Sequence, residues 1–417
     1  TGLILNNDAL NFNADVTKCM DLVHMKVLRG ALDAIALWPR KEFGERQRMY
    51  PKHVVLQIFF ISIFSAVVDY IRSRYHTLSF MDLGRNLINT FMTFYSNVSL
   101  YRLLMIYLKK YRDMVKEFVE HVHLYHYRDQ SEYAMIVFNK ITKISTVLII
   151  FLEMEVYIGL SLFNIWPFIN NYSNGMFSGS RAMNTTFDHS VYYTTPFPET
   201  SIYTYILVHI MNWFISYYCT WTFYALDVLA CIIVSNLWGH MEIFKNNLIT
   251  FPRPKQDPAI ESNILNPPWY TEDENRKVSK LLIGLIKHQL IFMDKTLDAL
   301  GIMLCLYYLI HQIIGCILLL ELSVMVNKNV FLIGRYSSLV PLLPLSLRSV
   351  SIFYIINLTF FYQNESLLNS VYRDLPWQAM NVKNRRTVLI FMTNLKSSET
   401  VVLMVPLGVR TMASVKI

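Results

Sequence analysis

Residues 144–168 read ISTVLIIFLEMEVYIGLSLFNIWPF, a run whose only charges are Glu153 and Glu155. A bilayer core of roughly 30 Å takes about 20 helical residues to cross, so the run is long enough to span it. In lipid only helices and closed barrels satisfy every backbone group, and nothing here alternates with the period of two that a barrel strand needs. The run is therefore a membrane helix. Similar stretches occupy His53–Ile71, Met81–Tyr107 (running on into the charged Lys109–Glu120), one opening near Ser201, one closing near Val326, Ser337–Tyr362 and Thr400–Ile417. The expected fold is all-α, a polytopic membrane protein with seven transmembrane helices. The last run has 18 residues, short enough that the helix is expected to continue past Ile417. No basic segment followed by an apolar one opens the chain as a signal peptide would. Composition agrees: 53% of the 417 residues are apolar and 16% charged, against about 25% charged in an ordinary soluble domain.

Lysine and arginine give the orientation. They crowd the segment before the first run, the loop after the second, the connection between fourth and fifth, and the stretch before the last. Roughly 28 of the 38 basic residues fall in these places, and the alternate loops hold Arg72, Arg74, Arg181, Lys328 and Arg335. The positive-inside rule then puts the N-terminus in the cytosol and, after seven spans, the C-terminus outside. That is opposite to a G-protein-coupled receptor. The loop 169–200 would face outward, and its sequons make Asn171 and Asn184 candidate glycosylation sites. The net charge of +8 is mostly this inner bias; membrane lipid headgroups are the expected partner and nucleic acid is not.

The inner segments carry their own architecture. Thr271 and Glu274, after Pro267-Pro268, form a capping box, and Val278, Leu281, Leu282 and Leu285 follow as an apolar stripe. No breaker intervenes before Val326, which implies a helix of about 80 Å. The fourth helix likewise runs from Ser201 to about Asn247, where Pro252 and Pro254 stop it. Both project beyond the bilayer as a cytosolic helical anchor, packed within the chain, against another subunit, or along the membrane surface. The expected division is 1–52 cytosolic, 53–237 spans one to four, 238–296 anchor, 297–362 spans five and six, 363–399 anchor again, and 400–417 the last helix.

Enzyme chemistry is missing: there is no glycine-rich phosphate loop, His-Glu-x-x-His or Cys-x-x-Cys, so no catalytic residue and no cofactor is assigned. His121, His123 and His126 lack the spacing of a shared helical face, which favours a solvated inner helix over a metal site. The five cysteines avoid the outer loops, and the disulfide, Asp-Arg-Tyr and Asn-Pro-x-x-Tyr of rhodopsin-like receptors are absent. A secondary transporter is the other alternative, without internal repeat or paired broken helices to support it. Glu153, Glu155, Asp227 and Arg348 sit within apolar runs, either as structural ion pairs, such as Arg348 with a third-helix glutamate, or as ligand and gating contacts.

Several stretches together resemble the insect odorant receptor family: Leu37-Trp38-Pro39, Lys287-His288-Gln289, Tyr362-Gln363-Asn364-Glu365-Ser366-Leu367-Leu368, Val371-Tyr372, Pro376-Trp377, Asn384-Arg385-Arg386-Thr387-Val388-Leu389 and Pro406-Leu407-Gly408-Val409. The likeness is greatest to moth odorant and pheromone receptors. It implies an olfactory receptor subunit that gates a non-selective cation channel in a hetero-tetramer with the odorant receptor co-receptor, at the plasma membrane of an olfactory neuron dendrite. The co-receptor carries a long insertion between its fourth and fifth helices; here 248–270 is short, as in the ligand-tuning subunit. The resemblance implies a pore lined by Val401, Val405 and Val409. It also implies a pocket in the outer half of the bundle for a volatile apolar ligand, with Thr90, Phe91, Phe94, Tyr157, Ser161, Ile206, His209, Ile210 and Trp213 as candidate contacts. His209 and Trp213 lie four apart and share a helical face.

Overall fold

The computed structural model describes residues 17–46, 103–178, 185–190, 200–255, 269–288, 367–397, 402–403 and 405–406. The third and fourth expected spans lie within these; the first, fifth and sixth, and most of the second, lie outside the described residues. The helices are α1 (Val23–Ala34), α2 (Lys109–Glu117), α3 (Glu132–Ser173), α4 (Ile202–Ile249), α5 (residues 272–288), α6 (residues 367–374) and α7 (Val382–Ser397).

The antiparallel pair α3–α4 is the frame. Ser131 opens α3, its side chain accepting from the Ala134 N–H at 3.1 Å, with Glu132 on the positive end of the helix. At 42 and 48 residues the two helices are about 63 and 72 Å long, twice the bilayer core or more. Pro167 sits inside α3 and cannot donate to the Phe163 carbonyl; the Ser190 hydroxyl donates to that carbonyl instead, at 3.1 Å. A loop residue thus repairs a gap that proline opens in an apolar helix.

Rather than continuing the second span into Lys109–Glu120, the chain breaks at Leu108, whose backbone is extended. The carbonyls of Ile106 and Tyr107, freed by the break, accept from the Arg112 guanidinium. After α2 a π-helical turn (Phe118–Val122) and a 3-10 stretch (Leu124–Gln130) lie across α4. Gly239 permits that crossing, since a Cβ there would stand 2.3 Å from Leu124 Cδ1. The Leu124 N–H donates to Asn236 Oδ1 on α4, at 2.9 Å.

One end of the α3–α4 pair gathers the N-terminal segment, α2, α5 and α7. α1 buries Met25, Leu28, Ala31 and Leu32, and the Trp221 indole of α4 donates to the Ala31 carbonyl. Trp38 is buried and stacked on Phe43, while Arg29, Asp33, Arg40 and Glu45 form an ion-pair knot at the rim. The capping box of α5 forms as the sequence predicts: the Thr271 N–H donates to Glu274 and the Glu274 N–H to the Thr271 hydroxyl. Val278, Leu282 and Leu285 are buried, but Leu281 is 45% exposed; the packed face is narrower than the stripe suggests.

Three asparagines lock α5 to α7. Asn384 Nδ2 donates to the Asn275 carbonyl at 2.9 Å, Asn275 Oδ1 accepts from the Asn381 N–H, and Asn381 Oδ1 caps α7 through the Asn384 N–H. Arg385 lies over the Trp269 ring at 4.8 Å. The motif around Asn384-Arg385 is therefore a joint between distant segments.

The expected solvated histidines are corrected in one case. His121 and His126 are exposed, but His123 is buried and pairs with His24 of α1, Nε2 to Nε2 at 3.2 Å. The Tyr125 N–H donates to His123 Nδ1, so the His123 proton is on Nε2 and is donated to His24. A second pair joins His240 of α4 to His288 of α5 at 2.9 Å, with Tyr127 stacked on His288. Burial holds His24 and His288 at about 4 and His123 well below the ordinary imidazole value.

Of the run 400–417, the described residues are Val402, Leu403, Val405 and Pro406. Val402–Leu403 and Val405–Pro406 form a two-residue antiparallel ladder rather than a helical turn. Val401 and Val409 lie outside the described residues.

Candidate ligand-binding site

Toward the other end of the pair, the seam between α3 and α4 is lined with rings and a few fixed polar groups. Its register is set by Tyr157 beside Trp221 (6.2 Å between ring centres), Asn164 Nδ2 donating to Ser216 Oγ (2.9 Å), and Phe168 beside His209 (6.2 Å). From Trp221 to His209 is twelve residues of α4, about 18 Å along the helix axis. The candidate residues thus fall on two levels.

The deeper level holds Tyr157 with Tyr217, Trp221 and Tyr224. Glu153 stands within electrostatic reach of Tyr217 and Tyr224. Arg348, its suggested partner, lies outside the described residues. The outer level holds His209 and Trp213, joined as the spacing predicts: the indole N–H donates to His209 Nε2 at 3.2 Å. Ser161 is half-buried between the levels. Ile206 and Ile210 are exposed, Ile210 at 61%, and turn off the seam. Thr90, Phe91 and Phe94 lie outside the described residues.

Around His209 the structure adds residues that sequence reading passes over. Tyr205 stacks on His209 at 5.5 Å and on Phe187 at 4.7 Å; Phe177 packs on Phe168, Phe187 and Tyr205; His189 lies against Tyr205. The signal for Tyr205 was present: Tyr205, His209 and Trp213 repeat every four residues along one face. Phe177 and Phe187 come from the loop after α3, and helical spacing could not have found them.

That loop engages one of the two candidate glycosylation asparagines. Asn171 is 2% exposed, its Nδ2 donating to the Asp188 carbonyl while its Oδ1 accepts from the Asp188 N–H, both at 2.8 Å. Asn170 holds the Asp188 carboxylate at 3.0 Å. An acceptor asparagine must present a free amide; here the sequon ends a helix and both amide atoms are engaged. Asn184 lies outside the described residues.

Chemically the outer level is a cage of rings, able to hold an apolar molecule by burial and to orient it through few polar atoms. Among the described residues no three histidine, cysteine or acidic side chains could hold a metal ion.

No curated protein matches the chain by sequence. The solved structures include the insect olfactory receptor OR5 from Machilis hrabei, similar at a TM-score of 0.69 and 12% identity over 94% of this chain and 93% of that one. The same receptor in complex with eugenol is similar at 0.65 and 11% identity, over 95% of each chain. These likenesses give the fold, a helical membrane protein with several spans. The model of the family described as 7tm Odorant receptor matches residues 82–415, most of the chain, and the protein therefore belongs to the seven-transmembrane odorant receptor family, a family of receptors and not of enzymes.

Proposed function

We propose that this chain is the ligand-tuning subunit of an odorant-gated channel. It binds a volatile, largely apolar odorant or pheromone in the outer half of its bundle and gates a non-selective cation current together with the odorant receptor co-receptor. The observation that carries the reading is the cage of Phe168, Phe177, Phe187, Tyr205, His209 and Trp213, remote from the basic segments. The eugenol complex of the Machilis receptor supports a small ligand for a fold of this kind. Assembly is supported by α7, which packs Val388 and Phe391 inward while Val382, Leu389 and Ile390 stay exposed, an apolar row suited to another subunit. The short connection 248–270 favours the tuning role over the co-receptor role. In this reading the N-terminus is cytosolic, the C-terminus is outside, Val401, Val405 and Val409 face the pore, and Asn184 carries the glycan. The receptor then sits at the plasma membrane of an olfactory neuron's dendrite.

The test is electrical. Expressed alone, the chain should give little or no odorant-evoked current; with the co-receptor it should give a non-selective cation current. A response that vanishes when G-protein signalling is silenced would support a metabotropic receptor, and substrate-coupled flux without channel conductance a transporter. Tag accessibility at the N-terminus tests the orientation, and an accessible tag on intact cells would overturn it.

A further inference from the structure

We infer that His209 presents the ligand with a single hydrogen-bond donor, its Nδ1–H. The receptor would then select volatiles carrying an acceptor oxygen (aldehyde, ketone, ether or ester) over hydrocarbons of the same shape. The inference rests on the reading of the outer cage as the ligand site and names the chemistry of what enters it.

An indole nitrogen donates and never accepts. The Trp213 N–H points at His209 Nε2 at 3.2 Å, so Nε2 must offer a lone pair. A neutral imidazole with its lone pair on Nε2 carries its proton on Nδ1. Trp213 therefore fixes the tautomer of His209 and acts as a positioning residue. His209 Nδ1 is sealed from solvent and has no hydrogen-bond partner among the described residues. Its ring lies between the carbon faces of Tyr205, stacked at 5.5 Å, and Phe168, at 6.2 Å. Buried donors in folded proteins are nearly always satisfied, and one left open among rings is a place where a ligand atom can complete the set. A carbonyl or ether oxygen completes it. A methylene in the same place leaves the donor unpaired, and sites built around a hydrogen bond discriminate strongly against analogues that lack it.

An N–H can only donate, so it also favours ligands that accept only. An alcohol satisfies it with one lone pair but must find a place for its own hydrogen. Matched aldehydes, ketones and methyl ethers should therefore match or outperform the corresponding alcohols.

The experiment uses the full chain with its co-receptor and takes the best agonist from a broad panel of volatiles, hydrocarbons included. That agonist is compared with a counterpart in which the oxygen is replaced by methylene. The expected result is an oxygen-bearing agonist at least tenfold more potent than its hydrocarbon counterpart. His209→Phe, which keeps a ring and removes the donor, should abolish most of that ratio. His209→Gln, whose amide both donates and accepts, should restore part of it. Trp213→Phe should leave surface level intact and relax the preference for acceptor-only ligands over alcohols, because the imidazole can then exchange tautomers. Surface labelling of each variant separates lost discrimination from lost protein. A hydrocarbon as best agonist, or an oxygen-to-methylene ratio unchanged in His209→Phe at normal surface level, overturns the inference while the odorant reading stands. Silence to every volatile with the complex at the surface overturns the ligand-binding reading, and the inference with it.

Discussion

The two ends of the α3–α4 pair are held together in different ways. At the anchor end, directional bonds join segments far apart in sequence: His24 to His123, Leu124 to Asn236, Asn275 to Asn384. At the cage end, Phe168, Phe177, Phe187 and Tyr205 meet as rings, and the polar bonds beside them run between α3 and the loop that follows it. Hydrogen bonds demand one geometry, whereas ring packing is less directional and accommodates a change of shape. An anchor that must present a constant surface benefits from the first. A cage that must admit and release a small molecule benefits from the second. Substitutions at the anchor should therefore cost protein, and those at the cage should cost sensitivity.

The largest effect is expected at the asparagine joint. Asn384→Ala removes the donor to the buried Asn275 carbonyl and a neighbour of Asn275 Oδ1. Each lost bond is worth about 0.5–1.5 kcal/mol and the truncated side chain leaves a gap in the joint, together a large share of any domain's stability. Surface labelling should fall by well over half, while the receptors that reach the membrane keep their half-maximal odorant concentration. A normal surface level with shifted sensitivity would break the division between the two ends.

Acidification should loosen the anchor next. His24 and His288 are held at about 4, against an ordinary value near 6.5, because burial penalises the charged ring. A lowered folded-state value means that the neutral form is favoured. Its contribution is complete above about pH 6.5 and is lost as pH falls from there toward 4, because only the unfolded chain takes up the proton readily. At pH 5.5 each histidine should cost about 1 kcal/mol. The thermal midpoint of the purified complex should drop between pH 7.5 and 5.5, and His24→Phe should reduce that drop. The same midpoint at both pH values would contradict a buried neutral pair.

How much of this was legible in the sequence depends on how far each interaction reaches along the chain. The Thr271–Glu274 capping box, the stop at Pro252 and Pro254, and the His209–Trp213 face span at most a few residues, and spacing alone reveals them. The Asn275–Asn384 joint and the His24–His123 pair join residues about a hundred positions apart. Asn384 could be noticed as part of a motif, yet its role needed a partner that the motif does not contain. Asn171 misled for the same reason, since a sequon reports three neighbours and not the Asp188 backbone that occupies its amide. The candidate pocket was legible in kind, with rings and one imidazole, but not in its division between two levels of α4.

At the cage, Trp213→Ala should move sensitivity. The ring is half-buried, so its loss opens a smaller cavity than a core tryptophan would. A ring lining a dry site contributes roughly 1.5–3 kcal/mol by burial, enough to raise the half-maximal concentration tenfold or more. Surface level should change far less than for Asn384→Ala. A collapsed surface signal with unchanged sensitivity would assign Trp213 to packing.

The smallest effect sharpens the comparison most, because it sits in the loop that closes the cage. Pro167 leaves the Phe163 carbonyl without its helical donor, and the Ser190 hydroxyl supplies one at 3.1 Å. Ser190→Ala alone should cost about 1 kcal/mol, the ordinary worth of one such bond plus a partly desolvated carbonyl. Pro167→Ala restores an N–H at the position from which an unbroken helix would donate to Phe163, so in that background the serine is no longer needed. The double variant should therefore be less destabilised by the loss of Ser190 than the parent is, with a coupling of about 0.5–1.5 kcal/mol measured from thermal midpoints of the purified complex. If the two effects simply add, the Ser190 contact is incidental and the loop is held by its rings. If they couple, proline and serine form a matched pair, and the Ser190 bond adds a second attachment of the loop to α3 beside the bonds that Asn170 and Asn171 make to Asp188. Ser190→Ala would then also shift odorant sensitivity, by a factor smaller than that of Trp213→Ala, because the loop that positions Phe187 against Tyr205 would lose one of its attachments and keep those at Asp188.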